Sequence, residues 1–91
     1  MWEIRWTPKA RKAVHNLPLP VQSAVWLLVG DLRTNGPVAG NWPNYGKLGK
    51  NKHHCHLKKG RPTYVAVWWS IKEQEKCIEV TYVGTHEKAP Y

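Results

Sequence analysis

Acidic residues are scarce in this sequence: six Asp and Glu stand against 14 Lys and Arg, for a net charge of +8 with neutral histidines. So large an imbalance on a 91-residue chain points to a polyanionic partner. Cysteine is also sparse. Cys55 and Cys77 are one pair without dense spacing, a weak basis for a disulfide framework, and free thiols are expected. No apolar run approaches the roughly 18 residues needed to cross a bilayer. The best stretch, Val21 to Val29, is short and interrupted by Gln22 and Ser23. The opening Met1-Trp2-Glu3-Ile4-Arg5-Trp6 lacks a basic leader and a cleavage site, so a cytoplasmic protein with no membrane partner is the expectation.

What is present supports one domain over residues 1–91, because two cores of this size would not offset chain entropy. The basic charge is localised. Residues 47–61 carry six basic and no acidic groups, six of the net eight charges in fifteen residues.

The patterning predicts an α+β fold: an N-terminal strand, a two-helix hairpin, then a three-stranded antiparallel meander forming a small sheet with helices on one face. Trp2, Ile4 and Trp6 alternate with Glu3 and Arg5, the period of a strand with one buried face. Thr7-Pro8 supplies a capping hydroxyl and a first-turn proline for a short helix with Ala10, Ala13, Val14 and Leu17 on its apolar side. A second helix, about 20 to 35, follows from Val21, Ala24, Val25, Leu28, Val29 and Leu32, and stops at Asn35-Gly36-Pro37. Residues 36–49 read as irregular, with Trp42 and Tyr45 pinning them down. The meander strands are Lys52 to Lys58, Thr63 to Ile71 and Lys76 to Gly84. They are joined by turns at Lys59-Gly60-Arg61-Pro62 and at Lys72 to Lys76.

Alternation in Lys52-His53-His54-Cys55-His56-Leu57-Lys58 sets His53, Cys55 and Leu57 toward the helices and Lys52, His54, His56 and Lys58 on the opposite face. Alternate Cα atoms lie about 6.6 Å apart, a spacing that can flank a phosphate. Imidazole exchanges protons near neutrality and ammonium stabilises phosphoryl charge, the two services that metal-free RNA cleavage requires. Lys52 and Lys58 are therefore RNA-binding candidates. Trp68 and Tyr64 are expected on the His54/His56 face, where aromatic rings can stack on bases. Trp2, Trp6, Trp26 and Trp69 are assigned to the core or to subunit contacts. His53 reads as a buried structural residue. A zinc site is disfavoured, since adjacent strand residues point apart and neighbouring lysines repel a cation.

The order of elements, with the ending Tyr82-Val83-Gly84-Thr85-His86-Glu87-Lys88-Ala89-Pro90-Tyr91, resembles the RelE/ParE superfamily of bacterial type II toxins. The ending looks closest to the ribonuclease branch that includes RelE, YafQ and HigB. That resemblance implies a toxin that cleaves messenger RNA on the ribosome without metal or cofactor, through 2′-hydroxyl attack that leaves a 2′,3′-cyclic phosphate, and is restrained by a cognate antitoxin. It also implies site residues: His86 at the position of a catalytic arginine or histidine, Tyr91 near a C-terminal aromatic, His54 and His56 on the second sheet strand, and Arg61 beside the transition-state phosphate. The segment from Trp42 through Arg61 is longer and richer in histidine than that pattern. The alternatives are the gyrase-inhibiting ParE branch, which acts by protein contact, and a non-catalytic RNA-binding protein.

Overall fold

The computed structural model describes residues 1–58, 60–71 and 75–91. Its elements are β1 (Glu3–Trp6), α1 (Pro8–Val14), α2 (Leu19–Asn35), β2 (Gly46–Lys47), β3 (Lys52–Lys58), β4 (Tyr64–Ser70), β5 (Cys77–Thr85) and a 3₁₀ turn over His86–Lys88. The expected strand, helical hairpin and meander are all present, within a residue or so of their predicted bounds except that α1 ends at Val14 and leaves Leu17 outside the helix. Lys59 of the first predicted turn and residues 72–74 of the second lie outside the described residues.

Local chemistry accounts for the helix ends. Thr7 Oγ1 accepts a hydrogen bond from Ala10 N–H at 3.2 Å, and Pro8 follows it in the first turn, so α1 starts there. α2 closes at Gly36, whose φ of 93° suits glycine and whose N–H donates to Leu32 O at 2.9 Å. A Cβ at Gly36 would also lie 3.1 Å from the Trp2 indole, so this position joins a turn to a close approach of β1.

The sheet has five strands in the order β1-β5-β4-β3-β2. β3, β4 and β5 form the antiparallel meander, and β1 adds to β5 in parallel, with Ile4 opposite Ile78. The two-residue β2 pairs with β3 inside the stretch read as irregular. Both helices cover one face, where Val14, Val21, Val25, Leu32, Cys55, Trp68 and Ile78 are fully buried. Burial of this apolar surface is the main favourable term in folding. Among the described residues no helix is long and apolar enough to cross a membrane.

One expectation about β4 is reversed. Directly opposed residues of an antiparallel pair share a face, and His53 is opposite Trp68 whereas His54 is opposite Val67 and His56 opposite Val65. Trp68 therefore points into the helix-covered core with no exposed surface, and its indole N–H donates to Pro37 O at 2.9 Å. Tyr64 packs against the same core. Neither presents a stacking ring on the histidine face, because both its sides carry apolar residues and the pairing register, rather than β4's own pattern, decides which set turns inward. Trp69, assigned above to the core or a subunit contact, lies outside the core and is 41% exposed on the histidine side.

A candidate active site

Three cross-strand rows build the open face of the sheet. Lys52, Trp69 and Glu79 form the first, His54, Val67 and Tyr82 the second, and His56, Val65 and Gly84 the third. A bulge in the β4–β5 pairing between Val67 and Trp68 brings Tyr82 rather than Thr81 into the second row. Val67 and Val65, the central members of the second and third rows, are fully buried although they lie outside the helix-side cluster.

β5 runs through Gly84 to Thr85, one residue past its predicted end. What Gly84 supplies is space. A Cβ there would lie 2.7 Å from Tyr82 Oη, so the Tyr82 ring can fold across it and donate its hydroxyl to Thr85 O at 2.7 Å. The following residue, His86, is held through its N–H to Thr63 O at 2.8 Å, and its carbonyl accepts from Ala89 N–H at 3.1 Å. The chain then turns back over the sheet. Tyr91 reaches His54, with ring centroids 4.9 Å apart, and stands edge-on to His86 at 5.8 Å. His86 in turn lies 5.6 Å from His56. Three histidines and the last tyrosine, far apart in sequence, thus form one aromatic cluster over β3.

Gly46 plays the matching part on β2, since a Cβ there would approach His54 Nε2 to 3.2 Å. His54 Nδ1 is buried and has no hydrogen-bond partner among the described residues. Burial, then the adjacent His56 and His86, hold the His54 imidazole below its ordinary value. Burial and His86 do the same to His56. Burial raises the Tyr91 phenol. Two neutral proton acceptors beside a third imidazole and a protonated phenol are groups suited to moving protons at neutral pH.

Arg61 lines, with Pro62, Thr63, Thr85, His86 and Glu87, an open hollow of about 580 Å³. Its guanidinium is exposed, and the one ion pair among the described residues is the distant Arg5–Glu3. Of the predicted site residues, the fold brings His54, His56, His86 and Tyr91 together and sets Arg61 in the hollow that His86 also lines. Lys52 stands one row along from His54, its Nζ 5.4 Å from the centroid of the Trp69 ring. Lys58 is exposed at the end of β3, beyond a register shift that interrupts the alternation after His56. Tyr64 and Trp68 are absent from the site for the reason given above. Tyr82, Gly46 and Glu87 were not singled out by sequence reasoning. The first two depend on cross-strand register and the third on the turn after β5.

The remaining cluster candidates are structural. His53 is buried, and its Nδ1 shares a 2.8 Å hydrogen bond with Tyr45 Oη. Cys55 and Cys77 are free and buried, and burial pushes the Cys55 thiol up to about 12. Among the described residues no three His, Cys, Asp or Glu side chains are grouped as metal ligands.

No protein-family profile and no curated protein sequence matches this chain. Its architecture is nonetheless similar to solved structures. The YoeB dimer from Staphylococcus aureus superposes with a TM-score of 0.71 at 13% identity, covering 93% of this chain and 97% of that one. The YoeB–YefM complex from the same organism gives 0.70 at 13% identity over 94% and 98%. At that identity the likeness is one of fold, and it extends over nearly the whole of both chains. The chain has the RelE/ParE-like α+β fold that its sequence pattern led us to expect.

Proposed function

We propose that this protein is the toxin of a type II toxin–antitoxin pair and an endoribonuclease that cleaves messenger RNA, presented by the ribosome, without a metal ion. The observation that carries this reading is the convergence of His54, His56, His86 and Tyr91 on the open sheet face beside a basic strand. His54 or His56, neutral at pH 7, accepts the proton of a ribose 2′-hydroxyl as that oxygen bonds to the adjacent phosphorus. Arg61, permanently charged, faces the phosphate from the hollow. His86 in its protonated form gives its proton to the departing 5′-oxygen as the P–O5′ bond breaks. The products are a 2′,3′-cyclic phosphate and a free 5′-hydroxyl. Tyr91, over His54, orients the nucleotide. The partner is an antitoxin; the similar YoeB fold is found in complex with YefM. An acidic or amphipathic segment would complement the +8 chain.

The test is product chemistry. Translating ribosomes incubated with purified protein should yield new messenger RNA ends carrying 2′,3′-cyclic phosphate. Intact RNA together with inhibited DNA supercoiling would replace this reading by gyrase inhibition.

The pH dependence has a definite sign. A base works only when neutral, and the depressed His54 and His56 values keep these rings neutral below the ordinary 6.5. The acid limb of kcat/KM against pH is therefore expected to fall below pH 6.5, as measured on a short RNA. A limb centred above that value contradicts the assignment of either histidine as base.

Neutralising Lys52 and Lys58 with glutamine should weaken RNA binding to a similar extent for every sequence and lower the slope of log K against log salt by about 1–2. An unchanged slope in a salt titration removes these lysines from the phosphate path.

A further inference from the structure

We propose that Trp69 and Lys52 form a nucleotide subsite next to the reaction centre, in which the Trp69 indole stacks on one base of a single-stranded RNA and Lys52 takes its phosphate. The inference rests on the ribonuclease reading for the identity of the ligand. It is carried by a feature that reading does not use. Trp69 is 41% exposed on an open sheet face while its neighbour Trp68, completely buried, fills the core. This indole lies outside the core that the helices cover.

Its position is set by the sheet. Trp69 pairs with Lys52, and Val67, two residues along, pairs with His54. One step of two strand residues, about 6.6 Å, therefore separates the tryptophan row from the row of the first catalytic histidine. One nucleotide of a splayed single strand can span that step. The charge is on the correct side. Lys52 Nζ lies over the Trp69 ring, 5.4 Å from its centroid, so a base that stacks there releases the ammonium to the phosphate, and Lys50 lies two residues before the strand in a segment tied to β4 through Ser70 N–H to Asn51 O at 2.9 Å. Glu79 flanks Trp69 on its β5 side, so a polyanion avoids that flank and follows the lysines. An aromatic face beside a backbone-tracking cation is the arrangement by which single strands are held irrespective of sequence.

The test measures binding rather than cleavage. The probe is a short, fully 2′-O-methylated oligoribonucleotide, which lacks the attacking hydroxyl, and a set of the same strand with a single abasic residue at each position in turn. Trp69→Leu should weaken binding about tenfold or more, and Trp69→Tyr should restore most of the loss. In the wild type one abasic position should reproduce that loss, and in Trp69→Leu the same position should become silent. Circular dichroism of each variant should match the wild type, since the ring is on the surface. Unchanged affinity in Trp69→Leu, or an equal loss at all abasic positions, overturns the subsite and leaves the ribonuclease reading standing. A change in sedimentation without a change in RNA affinity overturns it in favour of a protein contact at Trp69. Failure of the wild-type protein to bind the strand at low salt overturns the subsite, whereas the parent reading stands or falls on the 2′,3′-cyclic phosphate ends from translating ribosomes.

Discussion

Replacing His86 by glutamine is expected to slow RNA cleavage about 100-fold or more while fold and RNA affinity stay close to wild type. The 5′-oxygen leaves as a poorly stabilised alkoxide unless a proton reaches it, and the glutamine amide can hydrogen-bond but cannot deliver one. The fold should tolerate the change because the bonds that hold this turn are made by the backbone. They run from His86 N–H to Thr63 O and from Ala89 N–H to His86 O, flanked by the Tyr82 hydroxyl on Thr85 O. A second readout separates catalysis from mere packing. His86 is one of the charges that depress His54 and His56, so its removal should move the acid limb of the pH profile upward, toward 6.5. Rates should be taken on a defined RNA under single-turnover conditions, with thermal unfolding as the control. Near-normal cleavage in this variant would transfer the donor role elsewhere, Tyr91 being the nearest candidate.

The elements of this fold were largely legible in the sequence, and the reasons are local. Thr7-Pro8 and Gly36 mark helix ends by the backbone groups they satisfy or the φ they permit, and β3 shows its alternation in full. His54, His56, His86 and Tyr91 were legible as candidates, the first two from alternation and the others from the closing segment. What was not legible is what pairing decides. β4 reads apolar on both sides, so its own pattern could not say whether Trp68 or Trp69 faces the helices. The answer lies in its register with β3, where Trp68 meets His53 and Trp69 meets Lys52. The bulge that carries Tyr82 into the His54 row leaves no mark in Val80-Thr81-Tyr82. The parallel pairing of β1 with β5 joins the two ends of the chain, and a contact of that sequence separation has no local signature. Gly84 shows the same limit. Its role, the room that the Tyr82 ring occupies, depends on how that ring folds back over β5, which the sequence does not mark.

Trp68→Ala is expected to cost about 3–5 kcal/mol of stability, the range for truncating a large buried aromatic. Against a typical total of about 5–15 kcal/mol, that loss leaves much of the protein unfolded at physiological temperature. Three contributions are lost together. The ring stacks at 5.9 Å and 8° on His53 and at 6.2 Å and 30° on Tyr45, so the cavity would open at the centre of an aromatic triad. Its indole N–H is bonded to Pro37 O, which ties the segment after α2 to the sheet. That segment is also held by Trp42 Nε1–H to Asp31 Oδ2 of α2 at 2.7 Å and by Tyr45 Oη to His53 Nδ1 at 2.8 Å, so one of three such side-chain ties would be removed. Trp68→Phe keeps most of the packing and gives up the bond to Pro37, for a smaller loss of about 1–2 kcal/mol. Urea unfolding of the two variants measures both steps. RNA affinity measured on the folded Trp68→Phe protein should equal that of the wild type, because a residue with no exposed surface on the helix side of the sheet cannot meet a base. Wild-type stability in Trp68→Ala combined with weakened RNA binding would return this tryptophan to the nucleic-acid face and overturn the register described for β3 and β4.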